Sequence, residues 1–420
     1  VNRDALIVGG GAAGFFAAIH LAEARPEWKI TILEKSTRVL SKVRISGGGR
    51  CNVTHAAWEP QELARYYPRG HKELLGPFHR FSVPETMAFF EGRNVPLKIE
   101  EDGRVFPQSD SSESIVDCLT SEAARLGVEV RTGEALKDLH YVKENSSWEV
   151  VTGGGIYKAP RVLLATGSSP GVWNLLSRLG HDIVSPVPSL FTFRIRDPLI
   201  DGLQGLSTEA ELQVQATRSG ADNPAAAPLQ GSGPVLVTHR GLSGPAVLRL
   251  SAWGARELHL LDYQFFLRVD WIPDLDEIQL REQLVGQKEI CPRKSIANVP
   301  MFGLPRRLWR RLLECATFAP GTTWSAMAGK QAQQLIDRLK RSTFQVDGKD
   351  TFKEEFVTAG GVDLRQVDFR TFQSRRFPGL YFAGEVLDID ALTGGFNFQN
   401  AWTGAWHAAR AMASPSAQKE

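Results

Sequence analysis

Ala5-Leu6-Ile7-Val8-Gly9-Gly10-Gly11-Ala12-Ala13-Gly14-Phe15-Phe16-Ala17-Ala18-Ile19-His20-Leu21-Ala22-Glu23-Ala24 decides the fold. The apolar run 5–8 reads as a buried parallel strand. The glycines match G-x-G-x-x-G, and the segment after them reads as a helix over 15–24 that ends before Pro26. A second strand, 29–33, delivers Glu34, 20 residues past Gly14. Each part of such a βαβ unit has a physical task. Gly9 permits the tight turn, Gly11 lets backbone approach a pyrophosphate, and Gly14 lets the helix pack close to the strand. With Ala12 and Ala13, these residues open a helix whose free N–H groups and partial positive charge suit phosphates. Glu34, followed by Lys35, would accept hydrogen bonds from ribose hydroxyls, and its charge would repel a 2′-phosphate.

Further glycine clusters decide which dinucleotide. Ser46-Gly47-Gly48-Gly49-Arg50-Cys51-Asn52 removes side chains where something must approach the backbone. Arg50 and Asn52 supply donors beside it, and Lys42 and Arg44 lie just upstream. Gly153-Gly154-Gly155 joins two short strand-like runs, 148–152 and 156–158, and reads as a hairpin turn without chemistry. The strand that starts at Arg161 ends in Ala165-Thr166-Gly167, where the chain can pass close beneath a dinucleotide. Near the C-terminus, the strand at 380–382 enters a turn at Gly384-Glu385, and Glu385 or Asp388 could bind ribityl hydroxyls. Gly394-Gly395-Phe396-Asn397 then lead to a helix over 399–412. Its N–H groups would face a ligand edge carrying partial negative charge, such as the N1/C2=O edge of a flavin. FAD therefore fits better than NAD as the resident cofactor.

The chain has 420 residues, enough for two or three domains. Apolar residues make up 42% and charged residues 23%, which excludes a disordered or fibrous chain. Glycine, 39 in all, is the compositional outlier. The net charge of +2 demands no polyanionic partner. No run approaches the roughly 18 apolar residues of a membrane span. The apolar run at 5–8 is too short for a signal-peptide core, so no membrane and a reduced, cytoplasmic compartment are expected. Cys51, Cys118, Cys291 and Cys315 lie far apart and form no C-x-x-C pair. A zinc cluster, a redox dithiol and a disulfide framework are thereby disfavoured, and no metal-ligand spacing is present.

Residues 187–356 lose the βαβ rhythm. Strands are expected at 189–195, 207–217, 235–238 and 258–271, with a loop or hairpin tip at 218–233 and a helix after Pro245. Helices are expected at 275–287, 305–318 and 328–340. The division is 1–186, first part of the cofactor domain; 187–272, a β-rich substrate domain; 273–356, a helical subdomain; and 357–420, the cofactor domain's C-terminal part. The fold class is α/β: a Rossmann-like FAD-binding domain discontinuous in sequence, an inserted β-barrel-like domain and a small helical subdomain. From Arg281 to Arg341 there are 12 Lys/Arg and 4 Asp/Glu, so this window carries +8. Its densest piece places Arg306, Arg307, Arg310 and Arg311 on one amphipathic helix. That is either a solvated helix face or a phosphate-backbone contact for RNA.

The segments Gly9–Gly14, Ser46–Asn52, 239–245 (HRGLSGP), 357–362 (VTAGGV) and 379–388 (GLYFAGEVLD) together resemble the BaiN/YhiN-like flavoprotein family, also described as aminoacetone-oxidase-family FAD-binding enzymes. The resemblance spans nearly the whole chain in order. It implies FAD bound across the first and last segments, a substrate domain inserted between them, and redox chemistry at the flavin. It leaves the substrate open, because relatives act on unsaturated steroid ketones, small amines or a base in ribosomal RNA. The expected reaction is NAD(P)H-driven reduction of a conjugated C=C bond by hydride transfer at flavin N5, on a small molecule or an RNA base. The alternatives are conversion of uridine to dihydrouridine in ribosomal RNA and O₂-dependent oxidation of a small amine. No second G-x-G-x-x-G follows a strand, so NAD(P)H would be a transient visitor. His239, at a strand end beside a glycine-rich turn, is the candidate substrate-side proton donor. Cys51 lacks a partner thiol and reads as a buried, inert cysteine.

Overall fold

A computed structural model describes residues 1–215, 229–350 and 357–414. Of the loop expected at 218–233, residues 218–228 lie outside the described residues, and 230–233 instead open the strand Gln230–Val237, whose ladder to Ser207–Gln215 takes in the glycines there. The chain forms two compact units, Val1–Val187 with Val357–Glu420, and Pro188–Phe356.

The first unit is built on a seven-stranded sheet. Its order is Val367–Asp368, Gln373–Ser374, Leu380–Phe382, Val162–Leu164, Ala5–Val8, Ile30–Glu34, Glu129–Thr132. The last five run parallel, with Ile7 opposite both Leu163 and Ile32. The three central strands are apolar and buried along their whole length, as a sheet covered on both faces requires. Gln373–Ser374 pairs antiparallel at the edge.

Helix Ala12–Ala24 packs along the C-terminal helix Phe396–Ala413. Phe16 meets Phe89 at 4.4 Å and Trp402 at 5.0 Å between ring centroids. The Trp402 indole N–H donates to the Val53 carbonyl at 3.0 Å. This joins the two ends of the chain in one core. The helix expected at 399–412 starts one turn earlier, because Gly395 caps it with φ 93° and the next residue already turns into the helix.

His181 is buried in this unit, with Nε2 2.9 Å from the Ser374 hydroxyl. Burial, followed by the nearby Arg376 charge, pushes its pKa down to about 4. Unfolded histidine titrates near 6.5, so the unfolded chain binds the extra proton first. Stability is expected to be full above roughly pH 6.5 and to fall as pH drops toward 4, by at most about 3 kcal/mol from this residue. Urea titrations of wild type and His181→Gln across that window would measure it, and the variant should lose that part of the slope.

The second unit is a closed six-stranded barrel, ordered Thr192–Ile195, Gly241–Ser243, Gln230–Val237, Ser207–Gln215, Gln264–Asp270, Ser342–Asp350. Helices Glu277–Ile290, Arg306–Cys315 and Gly329–Lys340 share its apolar core. Three sequence expectations shift here. The region from 258 begins as a helix, Ala255–Leu260, and only Gln264–Asp270 is strand. The strand expected at 189–195 divides into Ile183–Ser189 and Thr192–Ile195, separated by Leu190 at φ 56°. The strand closing the barrel, Ser342–Asp350, comes after the helices, so the two kinds of element interleave along the chain. Its Asp347-Gly348-Lys349-Asp350 end is polar enough to read as loop. Among the described residues, no helix is long and apolar enough to cross a membrane.

Candidate functional site

In the first unit, the C-terminal ends of the parallel strands converge with the N-termini of two helices. Gly9 follows the first strand with φ 112°, and a Cβ there would lie 2.3 Å from the Ala165 carbonyl oxygen. A Cβ on Gly14 would lie 1.9 Å from the Gly9 oxygen. These two glycines are therefore required by packing. Gly11 differs: its backbone is extended and a Cβ would meet nothing within 4 Å. The turn is open at the position where a pyrophosphate would approach.

Ala165, Thr166 and Gly167 continue the strand Val162–Leu164 beside this turn. The Thr166 hydroxyl is buried and has no hydrogen-bond partner among the described residues. Gly384, at φ 74°, comes within 3.7 Å of the Ala13 methyl and 3.9 Å of the Ala401 methyl, measured from a Cβ built on it. Lys42 is ion-paired to Glu385. Glu34 accepts from the N–H groups of Gly10 at 2.7 Å and Ser36 at 2.8 Å, while Lys35 is exposed.

The second cluster lies at the end of helix Ser41–Gly49, which departs from helical geometry at Ser46, Gly47 and Gly48. Gly47, Gly48, Gly49 and Cys51 all have positive φ. Gly48 and Gly49 face open space. Asn52 bridges to the C-terminal cluster: its amide donates to the Thr54 carbonyl at 2.9 Å and accepts from the Gly395 N–H at 3.1 Å. Arg50 turns to protein partners, with Glu100 at 2.6 Å and the Phe106 ring 3.9 Å below its guanidinium. Cys51 is fully buried, and desolvation pushes its thiol up to about 12. Iodoacetamide at mildly alkaline pH is expected to label the half-buried Cys291 and Cys315 first and to reach Cys51 only on unfolding, as peptide mass mapping would read.

The loop from Gly384 to Gly395 is held at several points. Asn397 clamps Ala391 through both its amide groups, at 3.1 and 3.2 Å. Phe396 stacks on Tyr66 at 4.1 Å, and its carbonyl accepts from the buried Tyr67 hydroxyl at 2.6 Å. His55 Nδ1 lies 3.2 Å from the Gly394 carbonyl, and burial lowers its pKa, so the neutral ring donates there. Arg69 forms a two-pronged ion pair with Asp390, whose side chain is completely buried. Asp388 is buried as well. The first turn of the C-terminal helix is fixed by Gln399, which accepts from Thr54 at 2.6 Å and Thr86 at 3.1 Å and donates to Thr403 at 3.1 Å. Neither helix N-terminus carries an acidic residue in its first turn, so both present uncompensated partial positive charge.

An open glycine turn, a buried unpartnered hydroxyl and two unneutralised helix ends suit an elongated, phosphate-bearing cofactor such as FAD. Arg69, Asp390, His55, Tyr67 and Gln399 were not singled out from the sequence. The available signal for Asp390 is its place, with Asp388, as one of two acids inside the otherwise apolar run 386–392.

The remaining two expectations fall in the barrel unit. His239 is exposed on the tight turn joining Gln230–Val237 to Gly241–Ser243, where the Thr238 N–H donates to the Gly241 carbonyl at 2.8 Å. Arg307 and Arg311 donate to the carbonyls of Gly202 and Asp201, and Arg306 and Arg310 reach Asn298. Arg311 also pairs with Glu314 at 3.1 Å. The helix buries Leu308, Trp309, Leu312 and Leu313 on its opposite face.

Residues 3–411 match the family model described as HI0933-like protein Rossmann domain. The chain is 30% identical to the ribosomal RNA dihydrouridine synthase of Escherichia coli K12 over 419 residues, covering 97% of each. It is 28% identical to the 3-dehydro-bile acid delta(4,6)-reductase of Clostridium scindens, covering 97% of this chain and 98% of that one. Among solved structures, the 3-ketosteroid-delta4-(5alpha)-dehydrogenase of Rhodococcus jostii RHA1 superposes with a TM-score of 0.52 at 14% identity, covering 99% of this chain and 97% of the other, a likeness of fold.

Proposed function

Since the chain belongs to the HI0933-like Rossmann family and is an FAD-dependent oxidoreductase, we propose that it reduces a conjugated C=C bond with electrons from NAD(P)H. One observation carries this reading. Two relatives similar along almost their full length are named for different acceptors, and both names describe saturation of a C=C bond conjugated to a carbonyl. The bound flavin supplies hydride exchange at N5. The residues of this chain hold it there. The Gly9–Gly14 turn and the first helix would take the pyrophosphate, and Glu34, which accepts from the Gly10 and Ser36 N–H groups, would accept from ribose hydroxyls. Glu385 and Asp388 would hold the ribityl hydroxyls, and the Phe396–Ala413 helix end would stabilise negative charge on the pyrimidine edge. Lys42, Gly47–Gly49, Asn52 and Ala165–Gly167 would complete the cradle, and Arg50 would join it by leaving Glu100. Addition of hydride to the β-carbon leaves negative charge on the carbonyl side and calls for a proton at the α-carbon. His239 is our candidate donor, and His239→Gln is expected to lower kcat at least tenfold with KM nearly unchanged.

The acceptor we favour is a uridine base in ribosomal RNA. Its C5=C6 bond is conjugated to the C4 carbonyl, and the Escherichia coli relative carries that activity in its name. Arg306 and Arg310, with no carboxylate in their hydrogen bonds, would contact phosphates. Arg306→Glu with Arg310→Glu is expected to weaken RNA binding tenfold or more at moderate salt and to flatten its salt dependence by roughly two counterions. The decisive experiment is anaerobic reduction by NADH or NADPH, followed by reoxidation with uridine-containing ribosomal RNA or a steroid enone. Reoxidation by neither, with turnover only through O₂, overturns the proposal.

A further inference from the structure

A groove of about 410 Å³ opens on the first unit, between helix His71–Phe78 and the edge hairpin formed by Val367–Asp368 and Gln373–Ser374. Its size falls within the range of small-molecule sites. His407 forms part of its lining, 11 residues past Phe396 on the C-terminal helix. That is roughly 16 Å of helical rise from the end facing the dinucleotide turn, so the groove is separate from the site described above.

The charges around it are unbalanced. Lys72, Arg80, Arg370 and Arg375 line it, against Glu73 and Asp368. Arg370 is consumed by Asp368, at 2.9 and 3.1 Å, and Arg375 leans on the Val367 carbonyl through Nε at 3.1 Å while keeping its charge. Lys72 and Arg80 are exposed, and neither side chain has a hydrogen bond or ion pair among the described residues. Phe369 stands half-buried in the wall, braced edge-on by Phe372 at 5.1 Å. His407 Nε2 lies 3.2 Å from the Pro77 carbonyl, and the ring has a second backbone hydrogen-bond partner at Arg370.

The geometry points to a phosphate-binding groove: Lys72, Arg80 and Arg375 take a phosphate group, and the Phe369 ring takes the planar base beside it. The shared ligand chemistry is a nucleotide phosphate, either of a free mononucleotide or of single-stranded RNA. The unpaired fork of Arg80 suits phosphate oxygens, with the Lys72 ammonium and the Arg375 charge beside it, and the aromatic face next to them suits a base. His407 reports on occupancy. Burial keeps its pKa low, with Arg80 and Arg410 adding repulsion. Lys72 and Glu73 from one wall and Asp368 and Arg370 from the other complete the charges around it. A bound phosphate would offset Arg80 and raise the His407 pKa.

The test is NMR titration of ¹³C-histidine-labelled holoprotein, which has nine histidines to resolve, with inorganic phosphate, AMP and hexauridylate. Saturable shifts at His407 with AMP or hexauridylate are expected, with a higher His407 pKa when bound. Lys72→Gln with Arg80→Gln should weaken this binding at least tenfold while the flavin spectrum and circular dichroism stay unchanged. The tighter of AMP and hexauridylate identifies the source of the phosphate. Inorganic phosphate binding as tightly as both would overturn the base contact. No saturable shift with any probe at millimolar concentration, or unchanged affinity in the double variant, would overturn the groove as a ligand site.

Discussion

With aspartate in place of Gly11, the protein is expected to fold and to purify colourless. Gly11 has extended backbone, and a Cβ there touches nothing within 4 Å, so the substitution strains neither chain nor core. It would place a carboxylate where the pyrophosphate belongs, at the positive end of the first helix. Two like charges about 4 Å apart at an effective dielectric near 20 repel by roughly 4 kcal/mol, on the order of a thousandfold in affinity. The control is Gly14→Val, whose Cβ would sit 1.9 Å from the Gly9 carbonyl oxygen and whose expected result is unfolding. Visible absorbance gives the flavin content and circular dichroism gives the fold. A folded Gly11→Asp protein with full flavin would place the phosphates elsewhere.

The second large effect is expected at Asp390. Its carboxylate is completely buried and held by the two-pronged contact from Arg69. Asp390→Ala takes the carboxylate away from a mostly buried guanidinium, a loss of about 3–5 kcal/mol in unfolding free energy. The double variant Arg69→Met with Asp390→Leu should recover much of this, because an apolar pair removes both desolvation costs. Urea midpoints would show the loss and the recovery. Flavin affinity is expected to separate the two further. The loop carrying Glu385 and Asp388 is tied down at Arg69, so the single variant should bind FAD more weakly even below its unfolding midpoint. Equal stability of Asp390→Ala and wild type would mean the pair is not holding the loop.

What was legible in the sequence was local. The turn at Gly9–Gly14 announces itself because strand, glycines, helix and second strand are consecutive, and their spacing is set by backbone geometry alone. The C-terminal cluster was legible in composition, and its helix was misplaced by one turn because Gly395, rather than a side-chain cap, starts it. Contacts across long stretches of chain were not legible. Arg69 and Asp390 are 321 positions apart, and Thr54 and Gln399 are 345 apart. No periodicity connects such residues; only the folded sheet brings them together. The run Leu258-His259-Leu260-Leu261 has strand-like composition, yet Leu260 is 83% exposed on a short helix. Ser342–Asp350 was lost for the converse reason: barrel strands alternate polar and apolar weakly, and glycine with three charges masked its end.

The parallel sheet of the first unit has a consequence for the order of events during synthesis. Its strand Leu380–Phe382 pairs with Val162–Leu164, and its last helix packs on its first. At about 5–20 residues per second, the ribosome delivers the missing strand on the order of ten to forty seconds after its neighbour. Throughout that interval the apolar edge of Val162–Leu164 and the part of Ala12–Ala24 that packs on the C-terminal helix lack their native cover. The barrel unit, contiguous in the chain, is complete before its host. A nascent chain is therefore most exposed to aggregation and proteases late in translation, and its nucleotide turn is backed by both helices only after the final segment has emerged.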